Sequence, residues 1–183
     1  MNLNRSFWLI FTILGLAMAC SPDKEQDSAA AEDGITVYLV RHAEKAAGGD
    51  DPALSEAGIE RARLLADRLD EAGIETIWSS DYQRTRQTAA PLARNLAIDI
   101  ETYDPSDLES LAGTLEERGE TALVVGHSNT TPELSAQLGG DAGSPINEAG
   151  EYDRLYILNG VGSGDIDTMI ERFGAPYEPA GTD

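Results

Sequence analysis

Two histidines and two arginines carry the chemical potential of this chain of 183 residues. His42 directly follows Arg41 at the end of an apolar, β-branched run, and His127 directly follows Gly126 at the end of another. The chain has no other histidine. Arg84 lies between them in sequence, a few residues beyond a third apolar run. Imidazole is a nucleophile when neutral and a hydrogen-bond donor when protonated. Guanidinium groups match phosphate oxygens bidentately and stay charged at any working pH. Together these four side chains form a set for binding and attacking a phosphoryl group. Taken singly, each has an ordinary structural reading. A histidine at a strand end is often a hydrogen-bonded core residue, and an arginine among many acids is often an ion-pair partner.

The rest of the composition sharpens that reading. The formal net charge is -20. Nucleic-acid binding needs clustered Lys and Arg, so a nucleic-acid partner is disfavoured. An acidic surface also repels anionic substrates at long range, so a phosphate site must make its own local positive field. Two histidines and one cysteine, Cys20, are too few for a zinc site built on several such ligands. An apolar fraction of 41% suits one globular domain.

Strands and helices alternate in the pattern that would position the reactive residues. Ile35–Val40 reads as a buried strand. Ser55 opens a helical pattern, with Ile59, Ala62, Leu65, Ala66 and Leu69 on one face and Gly73 as its stop. Strands are expected at Glu75–Ser79, Ile98–Tyr103 and Thr121–Val125. Helices are expected from Asp81 or Tyr82 to Leu96, over Ser106–Arg118 and over Thr131–Leu138, where Pro132 is tolerated in the first turn. Tyr152–Leu158 and Asp165–Phe173 read as a final hairpin around Gly160–Gly164. This order predicts an α/β fold, with a mostly parallel central sheet flanked by helices on both faces and a C-terminal hairpin. Ligands of such sheets bind beyond the C-terminal ends of the strands, where Arg41, His42 and His127 fall.

The N-terminal segment has a different character. Arg5 precedes an apolar run from Phe7 to Ala19, too short for a comfortable membrane span. Its end, Leu16-Ala17-Met18-Ala19-Cys20, resembles a bacterial lipoprotein signal. The resemblance implies lipidation of Cys20 and a membrane anchor. Ser21 after the cysteine further implies an outer-membrane lipoprotein facing the periplasm. The expected organisation is a signal segment over 1–20, a flexible acidic tether over 21–34, a catalytic domain over 35–175 and a tail over 176–183.

Four ordered motifs give the domain a family resemblance. Arg41-His42-Ala43-Glu44 resembles the Arg-His-Gly-Glu signature of the histidine phosphatase superfamily, which includes the phosphoglycerate mutases. Leu54-Ser55-Glu56-Ala57-Gly58 is similar to its Leu-Thr/Ser-x-x-Gly segment. Ser79 to Ala89, with Arg84, Gln87 and Thr88, is similar to its Ser-x-x-x-x-Arg-Ala/Thr-x-Gln-Thr-Ala element. Val125-Gly126-His127-Ser128 matches its second-histidine motif. The resemblance implies that His42 accepts the phosphoryl group, Arg41 and Arg84 bind phosphate, and His127 is a second pocket histidine. It implies neither a metal nor an organic cofactor. The expected substrate is a phosphorylated small molecule or a phosphoprotein, hydrolysed through a phosphohistidine. A mutase-type phosphotransferase and a non-catalytic phosphate-binding lipoprotein are the alternatives.

Three positions depart from the family pattern. Ala43 replaces the usual Gly, and Gly48 stands where many members carry a phosphate-binding Asn. Ser128 stands where the acid-phosphatase branch carries Asp. A general acid must then come from elsewhere or be absent. Asp104, just past the third strand, is the first candidate, and it could equally cap the helix that follows. Asp107 and Glu44 come next.

Overall fold

The computed structural model describes residues 34–179. The signal segment, Cys20 and all but the last residue of the acidic tether lie outside the described residues. Six strands form one sheet in the order β3-β2-β4-β1-β5-β6. They are β1 (Ile35–Arg41), β2 (Thr76–Ser80), β3 (Ile100–Tyr103), β4 (Ala122–Gly126), β5 (Arg154–Val161) and β6 (Asp167–Arg172). β1 to β4 run parallel. β5 pairs antiparallel with β1, and β6 pairs antiparallel with β5, forming the C-terminal hairpin. The expected fold class is the observed one.

Alternation along each strand divides the core in two, because successive side chains point to opposite faces. Val37, Leu39, Ala122, Val124, Tyr156 and Leu158 face one side. There they meet Leu111 and Leu115 of α3 (Leu108–Arg118) and Leu134 of α4 (Thr130–Gln137). Val40, Leu123, Val125, Leu155 and Ile157 face the other side. There they meet Leu65 and Leu69 of α1 (Glu56–Leu69) and Leu92 of α2 (Gln83–Leu96). Burial on both faces explains why β1 and β4 read as continuous apolar runs. Among the described residues no helix is long and apolar enough to cross a membrane.

Element starts differ from expectation where termini consume residues. β3 begins at Ile100, not Ile98, because Ala97 closes α2 in the left-handed conformation (φ 55°) and Ile98 N donates back to Ala93 O. α3 begins at Leu108, because the Asp107 carboxylate accepts from Ser110 N at 3.1 Å and acts as N-cap. β5 begins at Arg154 and leaves Tyr152 in the preceding loop. Contacts also reach beyond residue 175: Tyr177 N donates to Asp153 Oδ2 at 2.9 Å.

The first two motifs are fastened to each other at the start of α1. Ser55 caps this helix, its hydroxyl accepting from Gly58 N at 3.2 Å. Ser55 N donates to Glu44 O at 2.9 Å. Arg61 clasps the Glu44 carboxylate through Nε and Nη2, and donates onward to the carbonyls of Phe173 and Ala175. Helix and loop lie so close that a Cβ at Gly58 would sit 2.1 Å from Glu44 O. Alanine at this helical position would gain roughly 1 kcal/mol of propensity, yet a clash with backbone costs about 1–3 kcal/mol or more. Gly58→Ala should therefore lose on the order of 1–2 kcal/mol, read as a lower urea midpoint at unchanged m. An unchanged midpoint would mean that the two motifs separate freely.

Candidate active site

β1 and β4 are neighbours in parallel register, with Arg41 opposite Gly126, and His42 N donates to Gly126 O at 2.9 Å. One further residue along each chain brings His42 and His127 together, ring centroids 5.5 Å apart and 69° between planes. Gly126 is required by the close turn into α4, since a Cβ there would approach Thr130 Oγ1 at 2.8 Å and Tyr103 OH at 2.9 Å. Thr130 Oγ1 in turn accepts from His127 N at 2.9 Å.

Arg84, in the first turn of α2, joins them from the strand on the other side of β4. Thr88 ties this helix to the first motif: its hydroxyl donates to Arg84 O at 2.7 Å and accepts from Ala43 N at 2.9 Å. Gln87 adds a second tie, accepting from Leu54 N at 2.8 Å. Asp51 accepts from Gln83 N at 2.9 Å and stands 3.7 Å from Arg84, closing the loop over the helix start.

Arg41 is 2% exposed, and oxygen atoms surround its guanidinium. Nη1 donates to Asn147 O and Glu151 O, and Nη2 to Glu148 O. Tyr152 stacks 4.1 Å from it. The supporting loop is itself pinned by charge. Glu151, 3% exposed, accepts from Asn147 N, Arg154 Nε and Arg172 Nη1. Burial opposes the Glu151 carboxylate, but these bonds outweigh it and hold the group below its usual range. Arg154 reaches on to the carbonyls of Ser144 and Pro145.

His42, Arg84, His127 and Glu148 share the lining of one cavity of about 600 Å³. His42 Nδ1 lies 2.8 Å from Ala43 O, which holds the proton on Nδ1 and leaves the Nε2 lone pair free. Burial, with Arg41, His127 and Arg84 nearby, pushes His42 down to about 3. Burial, with Arg84 and Arg41, pushes His127 down to about 4. Both rings are therefore neutral near pH 7. The second is held by Ser80 Oγ, 2.9 Å from His127 Nε2. The Nε–H groups of Arg41 and Arg84 are buried without a partner among the described residues. Two such donors beside two neutral imidazoles leave a site short of negative charge, which a phosphate dianion would supply. Among the described residues no cluster of three or more His, Cys, Asp or Glu could hold a metal ion.

Asp104 is not brought into this site. Its carboxylate accepts from Ser106 N at 2.9 Å and from Ser106 Oγ at 2.7 Å in an exposed turn, and it lies outside the cavity lining. Its neighbours Pro105 and Ser106 line the cavity instead. Asp107 is the α3 cap and Glu44 is bound by Arg61, so all three sequence candidates for an acid are occupied in structure. The sequence reading missed Ser80, Tyr152 and Glu148. Ser80 sits within the Ser79–Ala89 motif, but the other two lie on a loop that carries none.

The comparisons with known proteins follow the same residues. The model of the histidine phosphatase superfamily (branch 1) matches residues 37–116, spanning His42 and Arg84. Over these residues, less than half of the chain, the sequence is similar to that superfamily. The probable phosphoglycerate mutase GpmB of Yersinia pestis (strain Pestoides F) is 41% identical over 97 residues, or 49% of this chain and 45% of that protein. The chain thus aligns with less than half the length of the curated relatives it matches. The putative phosphohistidine phosphatase SixA from Agrobacterium tumefaciens superposes with a TM-score of 0.60 at 26% identity, over 79% of this chain and 99% of that one. The protein histidine phosphatase SixA complexed with tungstate gives 0.61 at 19% identity, over 75% and 97%, which speaks for the shared fold.

With only two histidines, the protonation of the site can be read without ambiguity. Proton NMR of the free protein should show both imidazoles titrating far below 6.5, near the expected values of about 3 and about 4. The linkage sign follows: the unfolded chain, with histidines near 6.5, takes up protons that the native site refuses. This contribution is fully present above pH 6.5 and lost as pH falls toward about 4 and then about 3. A midpoint near 6.5 for either ring would show it solvated rather than enclosed among guanidiniums.

Proposed function

We propose that this chain is a phosphatase that hydrolyses a phosphomonoester or phosphoramidate through a phosphohistidine on His42. The observation that carries the reading is the environment of His42. A neutral ring, its proton held on Nδ1 by Ala43 O, turns a free Nε2 lone pair toward a cavity walled by Arg84 and His127. The lone pair attacks phosphorus in line. The bond to the leaving oxygen or nitrogen breaks, and the phosphoryl group passes to Nε2. Arg41, Arg84 and His127 face the equatorial oxygens, where charge concentrates. A bound dianion favours protonation of His127, which is neutral in the free site. Water then attacks phosphorus, the P–N bond breaks, and phosphate leaves. No step calls for a metal or an organic cofactor.

Similarity to SixA proteins, whose names refer to protein histidine or phosphohistidine substrates, supports a phosphoramidate as one substrate class. Identity to the phosphoglycerate mutases supports the alternative, phosphate return to a second substrate oxygen. Transfer of labelled phosphate to an added sugar acid, rather than to water, would select it.

His42→Ala should abolish turnover with the fold intact by circular dichroism. Rapid quench with a labelled substrate should trap an acid-labile phosphoenzyme in the wild type and none in the variant. Comparable turnover by the two proteins would overturn the mechanism, leaving a module that only holds phosphate.

The N-terminal segment adds a location to the proposal. The run ending in Cys20 supports an exported, lipid-anchored protein of a bacterial envelope, its domain facing the periplasm from the outer membrane. A fatty-acid analogue should label the wild type and not Cys20→Ser. Equal labelling of both, or a wild type recovered wholly soluble, would overturn the anchor.

A further inference from the structure

The cavity of a phosphatase holds two things, a phosphoryl group and whatever is bonded to it. The deep wall of this one is cationic and neutral: Arg41 behind, His42, Arg84 and His127 around. Its rim differs. Among the described residues that line the cavity, Glu148 is the one carboxylate. Its side chain is 67% exposed and its Oε2 stands 3.3 Å from Arg41 Nη2. The Ser128 hydroxyl, next to His127, donates to that same oxygen. Two side chains from the heart of the site thus hold one carboxyl at its mouth. The main chain is fixed too, because Glu148 O accepts from Arg41 Nη2 at 2.8 Å.

We propose that Glu148 is the proton carrier of the reaction, giving a proton to the leaving oxygen of phosphomonoesters and later taking one from the attacking water. The inference rests on the phosphatase reading. Its reasons are placement and charge. A phosphoryl group bound between His42 and the arginines must point its leaving group outward, because the in-line axis runs from buried His42 toward the cavity mouth. Glu148 stands at that mouth within one ion-pair distance of a phosphate-binding guanidinium. In the free site the carboxylate partners Arg41 Nη2. A phosphate dianion takes that position on Arg41 and leaves Glu148 facing a negative neighbour. A carboxyl so placed lies on the side of the cavity where the leaving oxygen departs.

The steps balance. In the first, the His42 Nε2–P bond forms, the P–O bond breaks, and the Glu148 proton passes to the departing alkoxide. In the second, water attacks phosphorus and loses a proton to the Glu148 carboxylate. The P–N bond then breaks with its electron pair returning to Nε2. Nothing is oxidised or reduced, and the carboxyl ends as it began.

The test uses the full chain and two substrates that differ in their need for a proton. An alkyl phosphate releases a poor leaving group, whereas nitrophenolate departs readily without protonation. Glu148→Gln keeps the shape and the bond from Ser128 but cannot deliver a proton. It should lower kcat/KM, which reports phosphoryl transfer to His42 and not the later hydrolysis common to both substrates, by roughly a hundredfold for glycerol phosphate and by less than about fivefold for p-nitrophenyl phosphate. Glu148→Asp should recover part of the loss on glycerol phosphate. Equal loss of kcat/KM on both substrates would overturn the proposal in favour of a positioning role through Arg41. Wild-type rates on glycerol phosphate in Glu148→Gln would overturn it outright. So would a wild type that hydrolyses p-nitrophenyl phosphate and no alkyl phosphate, since Glu148 then delivers nothing. Absence of turnover on any phosphate by the wild type removes the phosphatase reading itself, and is thereby distinguished from failure of Glu148 alone.

Discussion

A guanidinium that is 2% exposed has to be met by oxygen, or the fold that buries it will not hold. Arg41 meets that demand with three backbone carbonyls, those of Asn147, Glu148 and Glu151. Carbonyls carry only partial charge, so the cation is solvated without being neutralised. Burial pulls the Arg41 guanidinium below its usual value, but an arginine keeps its proton by a wide margin. The surrounding structure serves this arrangement. The loop needs Glu151 to fix it, Glu151 needs Arg154 and Arg172, and the strands bearing those two arginines form the terminal hairpin. The effect at the site is a positive field that the protein has not spent on a carboxylate of its own, the rim residue Glu148 excepted.

That field has to work against the rest of the molecule, whose formal charge is -20. Screening settles the contest by distance. At physiological ionic strength the Debye length is about 8 Å, so remote surface acids are largely invisible to a bound phosphate. Arg41, Arg84 and the two rings lie within that range and inside a partly dehydrated cavity, where charges are felt more strongly. Burial first, and the same cations after it, keep both histidines uncharged in the free site.

Much of this arrangement was legible in the sequence, and for a physical reason. Strands buried on both faces need unbroken apolar runs, and such runs are visible without any alignment. Their ends located Arg41, His42 and His127, while motif spacing located Arg84. What sequence could not show was which oxygen each polar group would choose. Asp104 stands one residue past β3, a plausible height for an acid, yet the nearby Ser106 amide and hydroxyl claim its carboxylate. Glu44 sits two residues from His42, but Arg61 holds its carboxylate and it does not line the cavity. Glu148 and Tyr152 reach the site from more than a hundred residues beyond Arg41, through a loop with no periodicity to read.

That separation bears on how the site comes into being. The bonds that hold Arg41 span 106 to 110 residues of chain. Local contacts form quickly, while closures of this length must wait for the intervening elements to assemble. On the proposed reading, a folding chain can therefore build β1, α1 and β2, with Arg41 and His42 already at a strand end, and still have no place for phosphate. Competence arrives only when the segment ahead of β5 docks and the guanidinium finds its carbonyls. Ligand affinity here is a report on the completeness of the fold. A partly folded chain, however native its sheet, should neither retain phosphate nor be stabilised by it.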